Sequence, residues 1–358
     1  MKKTTIFDVL IVYSDKLAAS ANSYSKNSIM PFTKGSNSES YNSVYGYFLE
    51  ICRRNNLKAA FTTSIDIIGA GKCQSYWLFE NRNWIKERKT GFSKLIFDKF
   101  SPTCKRIRIS RNLLFSSEEV KPFNNSSLFN LCFDKQETYN KLRRFSIPTV
   151  SLTDDTKKSV NKMRDLLRAK IAGHPHKDDF SKEIIMKDRF GSGGRNVYKF
   201  KDFQTKRMIR LMKKHKRISF IAQPFTKFDQ GYSYQNVLVA TDIRLIYFEE
   251  KIVQTYIRMA QNGDFRCNEH QGGLLKYIPK KDVPSAVVAV SNCIAKIINT
   301  KASLFALDFI ISNNGNIYLL EANTGPGLDW NLTIKENERE AKKLIRLIVK
   351  KLAKRIGN

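Results

Sequence analysis

The sequence predicts a mixed fold, α/β at the N-terminus and α+β in the remainder, distributed over two or three domains. Strand-like and helix-like segments alternate through the first hundred or so residues, which is typical of α/β domains. Two β-rich runs enclose a tight-turn signal between Leu307 and Gly327, and a glycine-rich turn separates two more between Glu183 and Phe200. A chain of 358 residues is longer than one ordinary core can hold.

The N-terminal region predicts a small α/β domain over residues 1–123. Its first apolar run, residues 5–13, is too short for a signal peptide and contains Asp8, so we expect a strand. The further predicted elements are a helix at 43–56, a strand at 57–65, a hairpin at 73–89 and a strand ending at Pro102. The sequence KPFNNSS at 121–127 predicts a domain boundary.

Beyond that boundary, strands and helices continue to alternate. A helix at 134–146, a strand at 147–152 and an amphipathic helix at 155–171 open the second part. The final helix, at 336–355, places four apolar residues on one stripe, which we expect to pack on the body of the protein. These residues are Leu344, Ile345, Ile348 and Leu352.

Composition restricts the function classes. The six cysteines are scattered without a Cys-x-x-Cys pair, so we expect free thiols in a cytoplasmic protein. No apolar run is long enough to cross a membrane, and no zinc-finger spacing or aromatic RNA-binding signature predicts a specific nucleic-acid partner. The net charge of +30 has two interpretations, attraction to a polyanionic partner or a general bias toward lysine, and it bears only on the sign of the substrate.

The hairpin between Leu307 and Gly327 carries carboxylates in otherwise apolar strands. Asp308 lies on one arm and Glu321 on the other, and Asn323 shares the face of Glu321 because side chains alternate along a strand. A buried carboxylate is costly unless it is paired or binds a metal. Two carboxylates and an amide oxygen form a hard-oxygen set suited to Mg²⁺. The alternative is an ordinary hairpin with carboxylates at its fraying ends.

The segment from Glu183 to Phe200 predicts a hairpin capped by glycine. It has neither the Walker A pattern nor the Rossmann glycine fingerprint. Backbone N–H groups of a glycine turn can close over phosphates, and Lys187 would add a positive charge. The turn residues are Gly191, Ser192, Gly193 and Gly194. A glycine-rich hairpin without a ligand is the alternative.

Arginines concentrate in the segment from Asp242 to Gly273. Arg244 and Arg258 lie on predicted strands, and Arg266 and Asn268 lie in the polar loop that follows. Arginines converging on one sheet face would suit a carboxylate or a transferring phosphoryl group. Solvent-exposed arginines on a two-sided sheet are the alternative interpretation.

Taken in their order along the chain, the motifs resemble those of the ATP-grasp superfamily. The resemblance is strongest to its RimK-like branch of glutamate and peptide ligases, with bacterial glutathione synthetase. The resemblance spans about Asn124 to Arg355 and implies an ATP-grasp fold preceded by a Rossmann-like α/β domain. It implies a central subdomain at 124–225 and a C-terminal subdomain at 226–358. The most specific stretches are DFRCN…QGG and LLEANTGPG.

The resemblance also implies ligands and roles. ATP and two Mg²⁺ ions, with Mn²⁺ as an alternative, would be bound between the two subdomains. Lys135, Lys187 and the glycine turn would contact phosphates, and Arg244, Arg258, Arg266 and Asn268 would be catalytic. The metal ligands would be Asp308, Glu321 and Asn323. The residues around the adenosine of ATP would be Gln223, Pro224, Phe225 and Asp229. Relatives often carry Glu where this chain has Pro224, so Asp229 is the acid expected at the ribose.

Three functions remain open on the sequence alone. The first is an ATP-dependent carboxylate–amine ligase that forms an acyl phosphate, with an amino acid, a peptide, including an acidic one, or a protein tail as substrate. The second is a graspetide-type macrocyclase acting on a precursor peptide. The third is a catalytically silent, nucleotide-dependent binder of an acidic polymer. A homo-oligomer is compatible with each.

Overall fold

The computed structural model describes residues 4–24, 29–261, 263–298, 303–328 and 334–357. It divides into two compact units. The first comprises residues 1–126 and 327–358, and the second comprises residues 127–326. No helix in the described ranges is long and apolar enough to span a membrane.

The elements follow in chain order. The helices are α1 (Tyr41–Arg54), α2 (Lys105–Leu114), α3 (Ser126–Phe133), α4 (Lys135–Lys141), α5 (Lys157–Ala172), α6 (Thr205–Lys214), α7 (Ser285–Ile298) and α8 (Lys335–Ile356). The strands of the first unit are β1 (Thr5–Ile6), β2 (Val9–Tyr13), β3 (Ala59–Thr63), β4 (Ile67–Gly69), β5 (Lys72–Cys73), β6 (Tyr76–Glu80), β7 (Asn83–Glu87), β8 (Gly91–Phe92), β9 (Leu95–Lys99) and β10 (Lys121–Pro122). Those of the second unit are β11 (Val150–Ser151), β12 (Phe180–Asp188), β13 (Val197–Phe200), β14 (Phe220–Thr226), β15 (Ser233–Tyr234), β16 (Val237–Leu238), β17 (Thr241–Phe248), β18 (Lys251–Met259), β19 (Leu274–Tyr277), β20 (Leu304–Ile311) and β21 (Ile317–Asn323).

The first unit is built on a six-stranded sheet in the order β10-β9-β2-β3-β6-β7. The first four strands are parallel and the last two pair antiparallel. The β2–α1–β3 connection is the crossover that joins parallel strands in Rossmann-like folds. The single strand predicted at residues 5–13 is divided into two: β2 lies in this sheet, and β1 lies in a separate four-stranded sheet of order β1-β8-β5-β4. The predicted hairpin is β6–β7, whose turn residues Asn81 and Arg82 have positive φ.

Helix α8 packs on α1 in the first unit. The predicted apolar stripe, Leu344, Ile345, Ile348 and Leu352, is buried. Arg346 Nη1 donates to Tyr47 Oη at 3.0 Å, and Arg355 Nη1 donates to the Phe123 carbonyl at 2.7 Å. The boundaries expected from the sequence grouped this helix with residues 226–326, whereas its contacts place it with the N-terminal unit.

The second unit contains two large sheets with separate cores, besides the short β15–β16 hairpin. The sheet β11-β14-β12-β13 packs its apolar face on α5 and α6, and the sheet β19-β18-β17-β20-β21 packs on α7. The glycine-capped hairpin is confirmed as β12–β13, and the hairpin from Leu307 as β20–β21, with Gly315 at φ +85° in its turn.

Side-chain alternation gives both sheets one apolar and one polar face. On β12, Ile184 and Met186 enter the core, which turns Ile185 and Lys187 to the opposite face. On β17, Ile243 and Leu245 enter the core of the other sheet. The intervening positions, Asp242 and Arg244 among them, therefore share the opposite face. The polar faces supply the candidate site.

Candidate functional site

A cavity of about 110 Å³ lies in the second unit and is lined by residues of both sheets. It brings together eleven of the residues predicted from the sequence: Lys135, Lys187, Gly191, Ser192, Gly194, Gln223, Pro224, Phe225, Arg266, Asn268 and Glu321. Small-molecule sites usually measure roughly 300–1,000 Å³. The cavity is therefore smaller than most small-molecule sites.

Strand geometry positions Lys187 and the residues expected at the adenine. Lys187 pairs with Ile221 across β12 and β14, and Ile185 pairs with Gln223. Residues 221, 223 and 225 share a face by period-2 alternation, so Gln223 and Phe225 line the same cavity as Lys187. Gln223 Nε2 donates to Thr149 Oγ1 at 2.8 Å, which fixes the amide in a buried position.

Lys135 is held at the first residue of α4 by a specific cap. The Asp134 carboxylate accepts hydrogen bonds from the backbone N–H groups of Gln136 and Glu137 and pairs with Arg189 at 2.6 Å. The Lys135 N–H donates to the Arg189 carbonyl at 3.2 Å. The cap therefore fixes the start of α4 against the end of β12, beside the glycine turn.

The Lys135 ammonium lies between two parts of the cavity wall. Its Nζ is 3.3 Å from Glu321 Oε1, and it also donates to the Gly191 carbonyl. Both charged side chains are mostly buried, with 12% and 19% of their surface exposed. Glu321 is thus neutralised by a lysine that an anionic ligand could also bind.

Four charged residues form a buried network on the polar face of the five-stranded sheet. Arg244 binds Asp308 through Nε and Nη2, both at 2.5 Å, and Arg258 binds Asp242 at 2.8 and 2.9 Å. Arg258 Nη2 also reaches Asp308 at 2.9 Å, so it joins the two pairs. Strand register creates this arrangement, because Asp242 faces Arg258 and Arg244 faces Asp308. The arginines are therefore neither solvent-exposed nor unpaired.

The pKa values in this region follow from burial and charge. Burial, and then the nearby Lys135, lower the pKa of Lys187 to about 8. Burial alone would raise the pKa of Asp308, but Arg244 and Arg258 outweigh it and hold that pKa below its ordinary value. At Asp242 burial outweighs the arginine, and the pKa is raised. The cavity lining and the network together contain six cations and four carboxylates: Lys135, Lys187, Arg195, Arg244, Arg258 and Arg266 with Asp188, Asp242, Asp308 and Glu321.

The glycine turn is closely packed against the loop that carries Asn268. Gly194 has φ +69°, and a Cβ at this position would lie 2.6 Å from Asn268 Oδ1. A Cβ at Gly191 would lie 2.7 Å from the Asp188 side chain. Arg266 is held in the same loop by Asp264, with Nη2 to Oδ2 at 2.7 Å, and by Gln271 at 2.9 Å. Two predicted regions, the turn and the loop, therefore meet at one wall of the cavity.

Six predicted residues do not line this cavity. Arg244, Arg258 and Asp308 belong to the buried network behind it, and Gly193 and Asn323 also lie outside the lining. Across β20 and β21, Asp308 pairs with Glu321, and Asn323 pairs with Ala306. Asp229 is exposed and accepts a hydrogen bond from Asn313 Nδ2 at 2.9 Å, in the β20–β21 turn. It is therefore not placed to contact a ligand in the cavity.

Several polar lining residues were not identified from the sequence, among them Asp242, Arg195 and Thr226. Asp242 lies in the cavity wall beside Cys267, and Arg195 follows the glycine turn. Thr226 is 2% exposed, and its hydroxyl has no hydrogen-bond partner among the described residues. A buried unpaired hydroxyl costs roughly 1–3 kcal/mol, so Thr226 is a candidate for a ligand contact. For Asp242 the sequence did contain a signal, because an acidic residue stands in a β-rich run two residues before Arg244.

A family model of the RimK-like ATP-grasp domain matches residues 161–348, more than half of the chain. The chain belongs to the RimK-like ATP-grasp family. A "Probable alpha-L-glutamate ligase" of Legionella pneumophila (strain Corby) is 31% identical over 169 residues, covering 47% of this chain and 50% of that protein. The chain thus spans about half the length of the curated relatives it matches.

Solved structures extend the likeness in fold to nearly the whole chain of this RimK-like protein. D-cycloserine synthetase DcsG has a TM-score of 0.58 at 12% identity, covering 97% of this chain and 99% of that one. A RiPP-associated ATP-grasp ligase from Chryseobacterium gregarium, in complex with ADP and a leader and core peptide, has a TM-score of 0.55 at 11% identity. It covers 98% of this chain and 97% of that one. The predicted ATP-grasp fold is confirmed.

Proposed function

We propose that the protein is an ADP-forming carboxylate–amine ligase that activates its acid substrate as an acyl phosphate. The observation that carries this proposal is the convergence of Lys135, Lys187 and Glu321 in one cavity beside the glycine turn. A buried site with more cations than carboxylates favours an anionic ligand, because the excess charge is stabilised when the anion binds. The unpaired hydroxyl of Thr226 supports a polar ligand in the same cavity.

In the proposed reaction, an oxygen of the substrate carboxylate attacks the γ-phosphorus of ATP. The bond to the β,γ-bridging oxygen breaks, and ADP leaves. The amine nitrogen then attacks the acyl carbon, phosphate leaves with the electrons of the C–O bond, and the nitrogen loses one proton. Lys135 and Lys187 would stabilise the phosphate charge during transfer. Arg266 and Asn268, which line the same cavity, would bind oxygens of the acyl phosphate.

The residues fit Mg²⁺ through their hard oxygen donors, with Glu321 as the principal ligand. Asp308 faces Glu321 in register, and Asn323 lies two residues further along β21. Asp308 accepts three hydrogen bonds from arginines, so about one of the four acceptor positions of its carboxylate is free. When bound, the ion would neutralise phosphate charge. We assign the contact with the nucleoside to Asp242 rather than Asp229, because only Asp242 lines the cavity.

An assay of ADP release tests the proposal. We expect release that requires both a carboxylate and an amine, with amino acids and glutamate-containing peptides as the first substrates to screen. ATP binding without any ADP release that depends on an acid and an amine would contradict a ligase and favour the silent nucleotide-dependent binder.

Peptide macrocyclisation is the second candidate, supported by the likeness in fold to the Chryseobacterium gregarium ligase. Mass spectrometry separates the two reactions. A macrocyclase product loses the mass of one water from a single peptide, whereas a ligase product gains the mass of the added amine less one water.

A further inference from the structure

A basic groove of about 870 Å³ lies between β13, α6 and the residues 263–266. Its charged lining residues are Lys199, Arg207, Arg210, Lys214, Arg266 and Asp264. It therefore contains five cations and a single carboxylate. Asp264 is already paired with Arg266, and Lys199 is paired with Glu183, which leaves Arg207, Arg210 and Lys214 without a carboxylate partner among the described residues.

The groove cations come from one face of α6. Arg207, Arg210 and Lys214 are spaced three and four residues apart, so they lie on one side of the helix. Helix α6 contains five cations and no acidic residue, and these three are exposed. Arg210 and Lys214 make no hydrogen bond or ion pair with any described residue. Like charges at these spacings repel each other, which a bound polyanion would relieve.

The groove adjoins the cavity. Val197, Phe265 and Arg266 line both. Lys199 Nζ, in the groove wall, lies 3.6 Å from the ring centroid of Phe225, which lines the cavity. A chain lying in the groove would therefore reach the cavity wall at Arg266. The Arg266 guanidinium already binds one carboxylate, that of Asp264.

We propose that this groove binds an acidic peptide segment of the substrate and directs its reacting group to Arg266. The proposal rests on the ligase function proposed above, because a groove beside the cavity serves a substrate only if the reaction takes place in that cavity. Carboxylates match the groove better than stacked bases do, since its aromatic rings are already engaged. Phe265 packs edge-on against Phe225, and Tyr198 Oη lies 3.1 Å from His215 Nε2.

Binding of a fluorescein-labelled oligoglutamate peptide tests the proposal directly. The triple variant Arg207→Gln, Arg210→Gln, Lys214→Gln should bind it about tenfold or more weakly, because it removes three exposed cations. The matched control Lys206→Gln, Lys213→Gln removes two cations of the same helix that do not line the groove, and it should change the affinity less than about threefold. Added salt should weaken wild-type binding steeply and affect the triple variant less.

The ATP affinity of each variant separates this proposal from the ligase function. We expect the triple variant to bind ATP as the wild type does, since its three residues lie outside the cavity lining. Equal oligoglutamate binding by wild type and triple variant would overturn the groove proposal, whatever the ADP-release assay shows. It would also be overturned if the wild type failed to bind oligoglutamate but bound a single-stranded oligonucleotide or phosphatidylserine vesicles through the same three residues. Groove-dependent peptide binding without acid- and amine-dependent ADP release would instead reject the ligase function alone.

Discussion

Lys135 Nζ lies 3.3 Å from Glu321 Oε1 while it also donates to the Gly191 carbonyl. One ammonium therefore links α4, β21 and the glycine turn. Under the proposed function, an anion that enters the cavity would compete with Glu321 for this cation and would free the carboxylate for a metal ion.

Glu321→Gln should abolish turnover and leave the fold intact. The amide keeps the size of the side chain but loses the charge that a metal ion requires, so we expect ADP release to fall on the order of 100-fold or more. Circular dichroism should be unchanged. The control Glu137→Gln, on an exposed position of α4, should retain activity. Near-normal turnover of Glu321→Gln would exclude Glu321 as a metal ligand.

ATP affinity should depend on pH through Lys187. Its pKa is lowered to about 8, so the ammonium is charged at pH 7 and loses its proton as the pH rises through 8. We expect ATP binding, measured by calorimetry, to weaken over this range. Lys187→Met should bind ATP weakly at both pH 7 and pH 9 with a flatter profile, while Lys182→Met, at an exposed position of the same strand, should follow the wild type. A wild-type profile in Lys187→Met would reject the phosphate contact.

Gly194→Ala should impair catalysis more than Gly315→Ala, although both glycines have positive φ. Each alanine costs roughly 1–2 kcal/mol of backbone strain. Only at Gly194 would the new Cβ also meet a neighbour, Asn268 Oδ1, whereas nothing lies within 4 Å at Gly315. We expect similar losses of stability for the two variants, with ADP release lowered on the order of 10-fold or more in Gly194→Ala alone. Equal kinetics in the two variants would contradict a functional contact between the turn and Asn268.

Asp242→Asn should destabilise the second unit by roughly 3–5 kcal/mol, because it leaves the buried Arg258 without its bidentate partner. The matched change Asp165→Asn removes a carboxylate paired with Arg164 on the surface, where 65% of the aspartate side chain is exposed. Such pairs contribute at most about 1 kcal/mol. Urea unfolding measures the free energy of unfolding of both variants. Hydrogen exchange in β17 and β18 reports the local effect of Asp242→Asn. A loss of less than 1 kcal/mol in Asp242→Asn would show that Arg258 finds sufficient compensation in Asp308.

Local pattern determined which parts of the site could be predicted. Period-2 alternation and turn chemistry were sufficient to orient Lys187 and to pair the arms that carry Asp308 and Glu321. The partners of Asp308 could not be predicted, because Arg244 and Arg258 reach it through strand register fixed by tertiary packing.

The position of Asp229, which lies in a loop, could not be predicted from local pattern either. The sequence suggested Asp229 as the acid at the ribose, but residues 226–241 form a long connection with its own short β15–β16 hairpin. The turn at Asn313 holds Asp229 on the surface, while Asp242, thirteen positions later, enters the cavity wall. An acidic residue in a loop gives no periodic signal from which its direction could be inferred.

The packing of α8 on α1 has a consequence for biosynthesis. Residues 127–326 are made after α1 but before α8, so the first unit lacks the partner of α1 until residues 335–356 have been made. Domains that are continuous in the chain can fold as they emerge. We therefore expect protease resistance to appear in the order of completion, first in residues 127–326 of stalled nascent chains and last in the N-terminal unit, although its first strand is translated earliest.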